Sequence, residues 1–308
     1  MSDAGSPPPS DTAQAIDAVP LRHPWRWVAA TVIIVVVGLF LYGVATNPAY
    51  GWSTFAKYLF NERILLGVFN TLQLTVYSMV IGVVLGVILT VMRLSANPVL
   101  SAVAWVFLWI FRGTPVYVQL AFWGLMTTIY QKVRLGVPFG PSFVEFDLQS
   151  LSFPFALAVI GLALNEAAYM AEIVRAGIMS VPEGQLEAST ALGMSWGLAM
   201  RRTVLPQAMR VIIPPTGNEL ISLLKTTSLV TAVPYALDVY GIATREIAAR
   251  IFEPVPLLLV AATWYLVITS VLMVGQFYLE RYFSRGASRK LTTKQLEALA
   301  KAQMGTLP

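Results

Sequence analysis

Four ionisable side chains stand inside long apolar runs of this sequence: Glu166, Glu172, Glu219 and Lys225. Charge in such surroundings is costly and commonly faces a cavity or another helix. On a helix, Asn165, Tyr169 and Glu172 share one face through their i, i+4, i+7 spacing. Glu172 and Arg175, three residues apart, have the spacing of a local ion pair. Glu166 has no basic neighbour at helical spacing. Three readings of it stand side by side: a carboxylate facing a translocation path and attracting an ammonium or guanidinium, a buried pair with Lys225 across helices, or a protonated carboxyl bonded to a backbone carbonyl. Lys225 either opposes a substrate carboxylate or pairs structurally. A zwitterionic solute needs both signs of charge, so Asn165, Glu166, Tyr169 and Lys225 are the candidates for a substrate path.

Other chemistry has little material. The chain holds no cysteine and a single histidine, His23. That argues against structural zinc, haem, iron–sulfur clusters and disulfides. It also removes a Ser-His-Asp hydrolase and an HExxH metalloprotease. No GxxxxGK[ST] loop is present, so ATP is not bound by a P-loop of this chain. No catalytic residue, metal ligand or cofactor is expected.

Composition names the solvent for these elements. Only 12% of the 308 residues are charged and 56% are apolar, against about 25% charged in ordinary soluble domains. The sequence predicts an all-α polytopic membrane protein with about six spans: Trp27–Ala45, Leu65–Met92, Val99–Tyr130, Phe153–Ile173, Val211–Tyr235 and Pro256–Leu279. The third is too long for one simple span, so it is tilted or extends past the membrane. The first is expected as an uncleaved signal anchor. Residues 1–24, with Pro7-Pro8-Pro9, are expected to be a disordered tail. Six spans place both termini on one side. That side then holds Arg22, Arg26, Arg93, Arg175, Arg201, Arg202, Arg210 and the basic residues from Arg281 to Lys301, and the other holds only Lys57, Arg63, Lys132, Arg134, Arg245 and Arg250. This is a positive-inside pattern, with both termini cytoplasmic. It accounts for the net charge of +5 without nucleic acid.

The loop at 176–210 then faces the cytoplasm. Ser180-Val-Pro182-Glu183 has capping-box spacing, Gly193 suits a left-handed helix end, and Ser195 is a cap for a second helix. Arg201 and Arg202 are expected near the end of that helix, and Pro206 is expected to stop or kink it. Breaks are also expected at Pro214-Pro215 and at Arg112-Gly113-Thr114-Pro115. Gly82 and Gly86 form a GxxxG for packing inside the subunit. Taken alone, the loop is a helix–turn–helix such as joins spans in many membrane proteins.

Glu187-Ala188-Ser189, three residues, Gly193, nine residues, Thr203, one residue and Leu205-Pro206 resemble the EAA loop of ABC importer permeases. Ser189 stands where that motif has its second Ala, and Thr203 where it has Ile. Four further segments resemble the polar amino-acid uptake permeases of the histidine/glutamine/arginine type: Gly67–Thr75, Phe111–Gln119, Ala167–Ile178 and Asn218–Leu229, with Gly184-Gln185 before the loop. The resemblance covers residues 65–283, which would be a permease domain of the type I importer helix bundle. Residues 25–48 would be an added helix and 284–308 a cytoplasmic tail. The resemblance implies a subunit of the bacterial inner membrane, in lipid, paired with a second permease, the same or homologous. A cytoplasmic ABC ATPase homodimer would bind ATP and contact Glu187, Ala188 and Gly193. An extracytoplasmic solute-binding protein would deliver an amino acid, polar or charged. The competing reading is an ion-coupled secondary transporter or channel, which leaves the loop unexplained. It would be favoured by uptake that survives loss of the ATPase and collapses with an ionophore.

Overall fold

A computed structural model of the chain describes residues 24–137, 140–147 and 154–283. The tail expected before Pro24, with His23, and the tail at 284–308 lie outside the described residues. The chain forms two units, one ending at Tyr50 and one beginning at Gly51. The first contains α1 (Pro24–Thr46) and a short 3-10 turn, Pro48–Tyr50. Helix α1 therefore takes in Pro24, which the sequence reading gave to the tail. It buries none of its apolar stretch. A helix apolar all round and buried nowhere needs lipid around it.

The second unit begins with α2 (Trp52–Leu59) and α3 (Glu62–Arg93), whose Asn61 cap accepts from the Arg63 N–H. Helix α4 (Pro98–Gly113) is capped in the same way by Asn97. Helix α5 (Val116–Ile129) follows at a bend of 106°. This bend corrects the reading of 99–130 as one tilted or overlong span. Strands β1 (Lys132–Gly136) and β2 (Ser142–Asp147) form an antiparallel hairpin, with Arg134 opposite Glu145. It interrupts an otherwise helical fold among the described residues. A hydrogen bond from Lys132 holds the Glu145 carboxyl below its ordinary range. Helix α6 (Pro154–Met179) leads to α7 (Glu183–Ala191) and α8 (Trp196–Ala199). A π turn, Met200–Val204, carries the chain into α9 (Leu205–Thr226) and a 3-10 turn, Thr227–Ala232. Helix α10 (Val239–Gly241), a second π turn, α11 (Ala248–Ile251) and α12 (Pro254–Phe283) complete the unit.

Among the described residues, helices α1, α3, α6 and α12 are each long and apolar enough to span, and α4 and α5 are so only when taken together across their bend. Helix α9 and its 3-10 turn occupy the fifth expected span, where Pro206, Pro214, Pro215 and the charged Arg210, Glu219 and Lys225 make the helix less apolar than the others.

Helix α6 is the most buried of the spans, and α3 is its closest partner. Ser78, Gly82, Gly86 and Thr90 recur every four residues along α3 and are all buried against α6. Ser78 and Thr90 donate to the carbonyls of Val159 and Ala171, the latter at 2.8 Å. A Cβ on Gly82 would lie 2.7 Å from Cγ of Glu166, and one on Gly86 2.6 Å from Cβ of Met170. The expected GxxxG thus packs two backbones inside one chain. Where lipid is as apolar as a side chain, close packing and interhelical hydrogen bonds hold helices together. Leu74, Leu162, Met170, Ile212, Leu223 and Val230 extend this core onto α9.

The loop departs from expectation in three places. Ser180 does not cap α7; its Oγ donates to the Gly177 carbonyl because Ser180 still belongs to the last turn of α6, and Pro182 holds the cap position without a side-chain bond. Ser195 does cap α8 by position, again without a side-chain bond. Pro206, Pro214 and Pro215 stop nothing: α9 runs through them, and Arg201 and Arg202 fall in the π turn. Prolines are tolerated where neighbouring helices re-satisfy the freed backbone. Here α9 lies between α6 and α12 and is held through its prolines by packing on both, with Gln276 of α12 adding a bond to the Pro214 carbonyl at 2.7 Å.

Replacing Gly86 by Val should cost about 1–3 kcal/mol through overpacking and lower both membrane abundance and the thermal midpoint in detergent. Gly275→Val is the control, since a Cβ there meets nothing within 4 Å. Equal behaviour of the two variants would contradict the close α3–α6 contact.

Candidate functional site

Two regions carry the polar residues singled out by sequence. The first is the turn between α7 and α8. Gly193 has φ +78°. The Met194 N–H bonds the Ser189 carbonyl and the Gly193 N–H bonds the Thr190 carbonyl. This is a Schellman end, which needs a left-handed residue at that point. Glu187, Ala188 and Gly193 are all exposed, as the resemblance implies for a contact surface. Leu192 and Trp196, 79% and 68% exposed, flank the turn. The sequence reading missed them, although two large apolar residues beside a glycine turn were visible. An exposed apolar pair beside a carboxylate and a rigid turn is suited to a protein partner.

The second region surrounds α6. The Pro115 ring leaves the Phe111 carbonyl without its helical donor. Side chains replace it: Gln119 Nε2 lies 2.9 Å and Asn165 Nδ2 3.1 Å from that oxygen. Gln119 also reaches the Thr114 carbonyl, and its own Oε1 accepts from Asn165 at 3.0 Å. The expected face of α6 is real, and it grips the α4–α5 break. Tyr169 lies under the Arg112 guanidinium, 5.8 Å from ring centroid to Cζ. Glu172 pairs with Arg175 at 2.7 Å, the local bridge expected, and stands 3.9 Å from Arg112. Gln119, within the Phe111–Gln119 segment, was not among the expected site residues. Its signal was the Pro four residues before it and the lost helical bond.

Glu166 is only 4% exposed, under Gly82, and its Oε1 has no hydrogen-bond partner. The proposed pair with Lys225 is not formed. Lys225 is exposed on α9, with no carboxylate in ion-pair range among the described residues. The charge that acts on Glu166 from α9 is instead Glu219. The reason is helical phase. Lys225 falls on the face of Asn218 and Ser222, all three exposed, and away from α6. A buried carboxyl oxygen without a hydrogen-bond partner leaves room for a donor or a cation.

Residues 79–285 match the family model described as binding-protein-dependent transport system inner membrane component. The chain belongs to this family. It is 61% identical to the arginine transport system permease protein ArgU of Corynebacterium glutamicum, over all of this chain and 96% of that protein. It is 37% identical to the histidine/lysine/arginine/ornithine transport system permease protein HisM of Escherichia coli, over 67% of this chain and 83% of that one. Among solved structures it resembles an amino-acid ABC transporter with histidines, at 31% identity and TM-score 0.61, covering 74% of this chain and 97% of the other. The inward-facing methionine transporter MetNI, at 19% identity and TM-score 0.54 over 71% and 95% of the two chains, shares the fold. The protein is thus a multi-pass permease subunit of ABC-importer type, with the all-α bundle expected of it. The α7–α8 turn and the α6 carboxylate are features of this permease that its own geometry has to explain.

Gln119→Leu keeps the bulk of the side chain and removes its donors and acceptor. Leaving the Phe111 and Thr114 carbonyls short of partners should cost about 1–3 kcal/mol, read as a lower thermal midpoint of the purified permease. Val118→Leu, on an exposed neighbour, should leave the midpoint in place; an equal fall in both would remove the capping role from Gln119.

Proposed function

We propose that this permease admits cationic amino acids, takes them from an extracytoplasmic solute-binding protein, and is driven by a pair of cytoplasmic ATPases that dock on the α7–α8 turn. A second permease, identical or homologous, completes the path. ATP is bound by the ATPases, and this chain supplies no catalytic group. Both termini lie on the ATPase side, a placement supported by the basic residues that cluster there in the sequence.

The observation that carries the substrate class is the buried carboxylate of Glu166, with an unpartnered oxygen and a second carboxylate, Glu219, acting on it. An uncompensated buried acid is expensive, and a substrate ammonium or guanidinium supplies the missing positive charge. The names of the arginine and the histidine/lysine/arginine/ornithine relatives support the same class. Asn165 and Tyr169 belong to this site through the α4–α5 break that they hold beside it. Lys225, exposed on α9, suits the substrate carboxylate or the second permease. Opening of the α3–α6 contact over Glu166 is then part of alternating access, and ATP and the loaded receptor must bind its two states with different affinity.

In proteoliposomes containing the ATPase and receptor, Glu166→Gln should reduce arginine uptake by an order of magnitude or so, the scale of one charge-assisted hydrogen bond, at unchanged membrane abundance. Loss of abundance together with uptake would make Glu166 a structural group. Glu187→Lys tests the docking surface. The permease should remain in the membrane while receptor-stimulated ATP hydrolysis disappears, and normal stimulation would dismiss the contact.

A further inference from the structure

The two positions where this chain departs from the EAA pattern, Ser189 and Thr203, touch each other. Ser189 is the buried residue of α7, at 4% exposure. Its hydroxyl oxygen lies 2.8 Å from the Gln185 carbonyl and 2.9 Å from Oγ1 of Thr203 in the π turn. A serine has one proton to give. The Ser189 hydroxyl therefore shares its proton between the Gln185 carbonyl and Thr203 Oγ1 across the gap. One turn away, Gln207 Nε2 lies 3.4 Å from Oε1 of Gln185 and 2.9 Å from the Thr203 carbonyl. Gln185 and Ser189 share one face of α7, and Thr203 and Gln207 share one face of the π turn and α9, each pair four residues apart. The result is an antiparallel polar seam between the docking helix and the base of α9, the helix that carries Glu219 and Lys225.

The geometry points to Ser189 and Thr203 as positioning residues that clamp α7 to the base of α9, so that a push on the α7–α8 turn is delivered to α9 as a rigid-body movement. This rests on the assignment of that turn to the ATPase contact. An Ala–Ile pair at these positions would press two apolar surfaces together without fixing their register. Two hydroxyls at 2.9 Å hold one alignment and lose it when either is removed. Either single loss releases the alignment: without Thr203 the buried Ser189 hydroxyl keeps only its bond to the Gln185 carbonyl, and without Ser189 the half-buried Thr203 hydroxyl loses its partner on α7, while removing both costs little stability.

The test uses the full complex of permease, ATPase and receptor in proteoliposomes, with Ser189→Ala, Thr203→Val, the double variant and Thr203→Ser. The readout is amino acid transported per ATP hydrolysed, with membrane abundance and ATPase retention measured alongside. Each single variant should lower the ratio roughly threefold to tenfold, the span of one lost hydrogen bond, at wild-type abundance and retention. The double variant should be no worse than the poorer single one, and Thr203→Ser, which keeps the hydroxyl, should match wild type. Because the chain has no cysteine, spin labels at Thr190→Cys and Met209→Cys can follow the two helices directly. Their separation should stay narrow with and without ATP, and broaden in Thr203→Val. An unchanged ratio or an unbroadened distance in Thr203→Val overturns the clamp, as do additive losses in the double variant. Loss of ATPase retention or abundance in the single variants also overturns it, by making the pair a folding element only. A wild-type complex with no receptor-dependent, ATP-driven uptake overturns the parent assignment instead, and the clamp with it.

Discussion

The packing of α3 on α6 is the contact on which the other elements depend. It needs four small residues in a row at four-residue spacing, because only then do the two backbones come near enough for Ser78 and Thr90 to reach carbonyls on the neighbour. Helix α6 is held by this contact on one side. Another face offers Asn165, Tyr169 and Glu172 to the α4–α5 break. The same close approach encloses the Glu166 carboxylate, since Gly82 lies directly over its side chain. A larger residue at 82 would separate the helices and hydrate the acid. Packing and electrostatics at this point are one constraint.

A second constraint comes from lipid. A carbonyl that loses its helical donor in a membrane has no water to turn to. At Pro115 the chain meets this cost with amide side chains: Gln119 and Asn165 serve Phe111, and a third amide, Gln276, joins α12 to the Pro214 carbonyl of α9. These amides also tie together helices far apart in sequence, so a local repair becomes a tertiary contact. The 106° bend between α4 and α5 is stable for this reason.

Much of this was legible in the sequence. Apolar length located the spans, and Gly193 announced a left-handed helix end. Arg112–Pro115 announced a break, and the residues around Gly193 announced the turn between α7 and α8. What failed did so for identifiable reasons. The Ser180 capping box matched in spacing, but α6 runs far enough to claim Ser180 for its own last turn. The prolines of α9 looked like stops because local propensity knows nothing of α6, α12 or Gln276. The Glu166–Lys225 pair was inferred from opposite charges alone. Placing them required the rotation of α9 about its axis, which brings Glu219 towards α6 and turns Lys225 outward. The contact between Ser189 and Thr203 was hidden for the same reason: each was read as a separate mild departure, and only the fold shows them facing one another.

The π turn at Met200–Val204 sets that rotation. The Leu205 N–H reaches back to the Met200 carbonyl, one residue further than in a regular helix. A single residue corresponds to about 100° of helical rotation. The turn therefore works as a phase shifter between the part of the helix joined to α7 and the part facing the rest of the bundle. Apart from Thr203, chain length through 200–204 is consequently under tighter geometric control than residue identity there. A one-residue deletion that restored regular helix would leave α9 itself intact, yet it would turn Gln207, Glu219 and Lys225 together by more than a quarter of a circle relative to α8. Relatives that keep both functions at the two ends of this helix must keep the same count between them, or balance one length change with another.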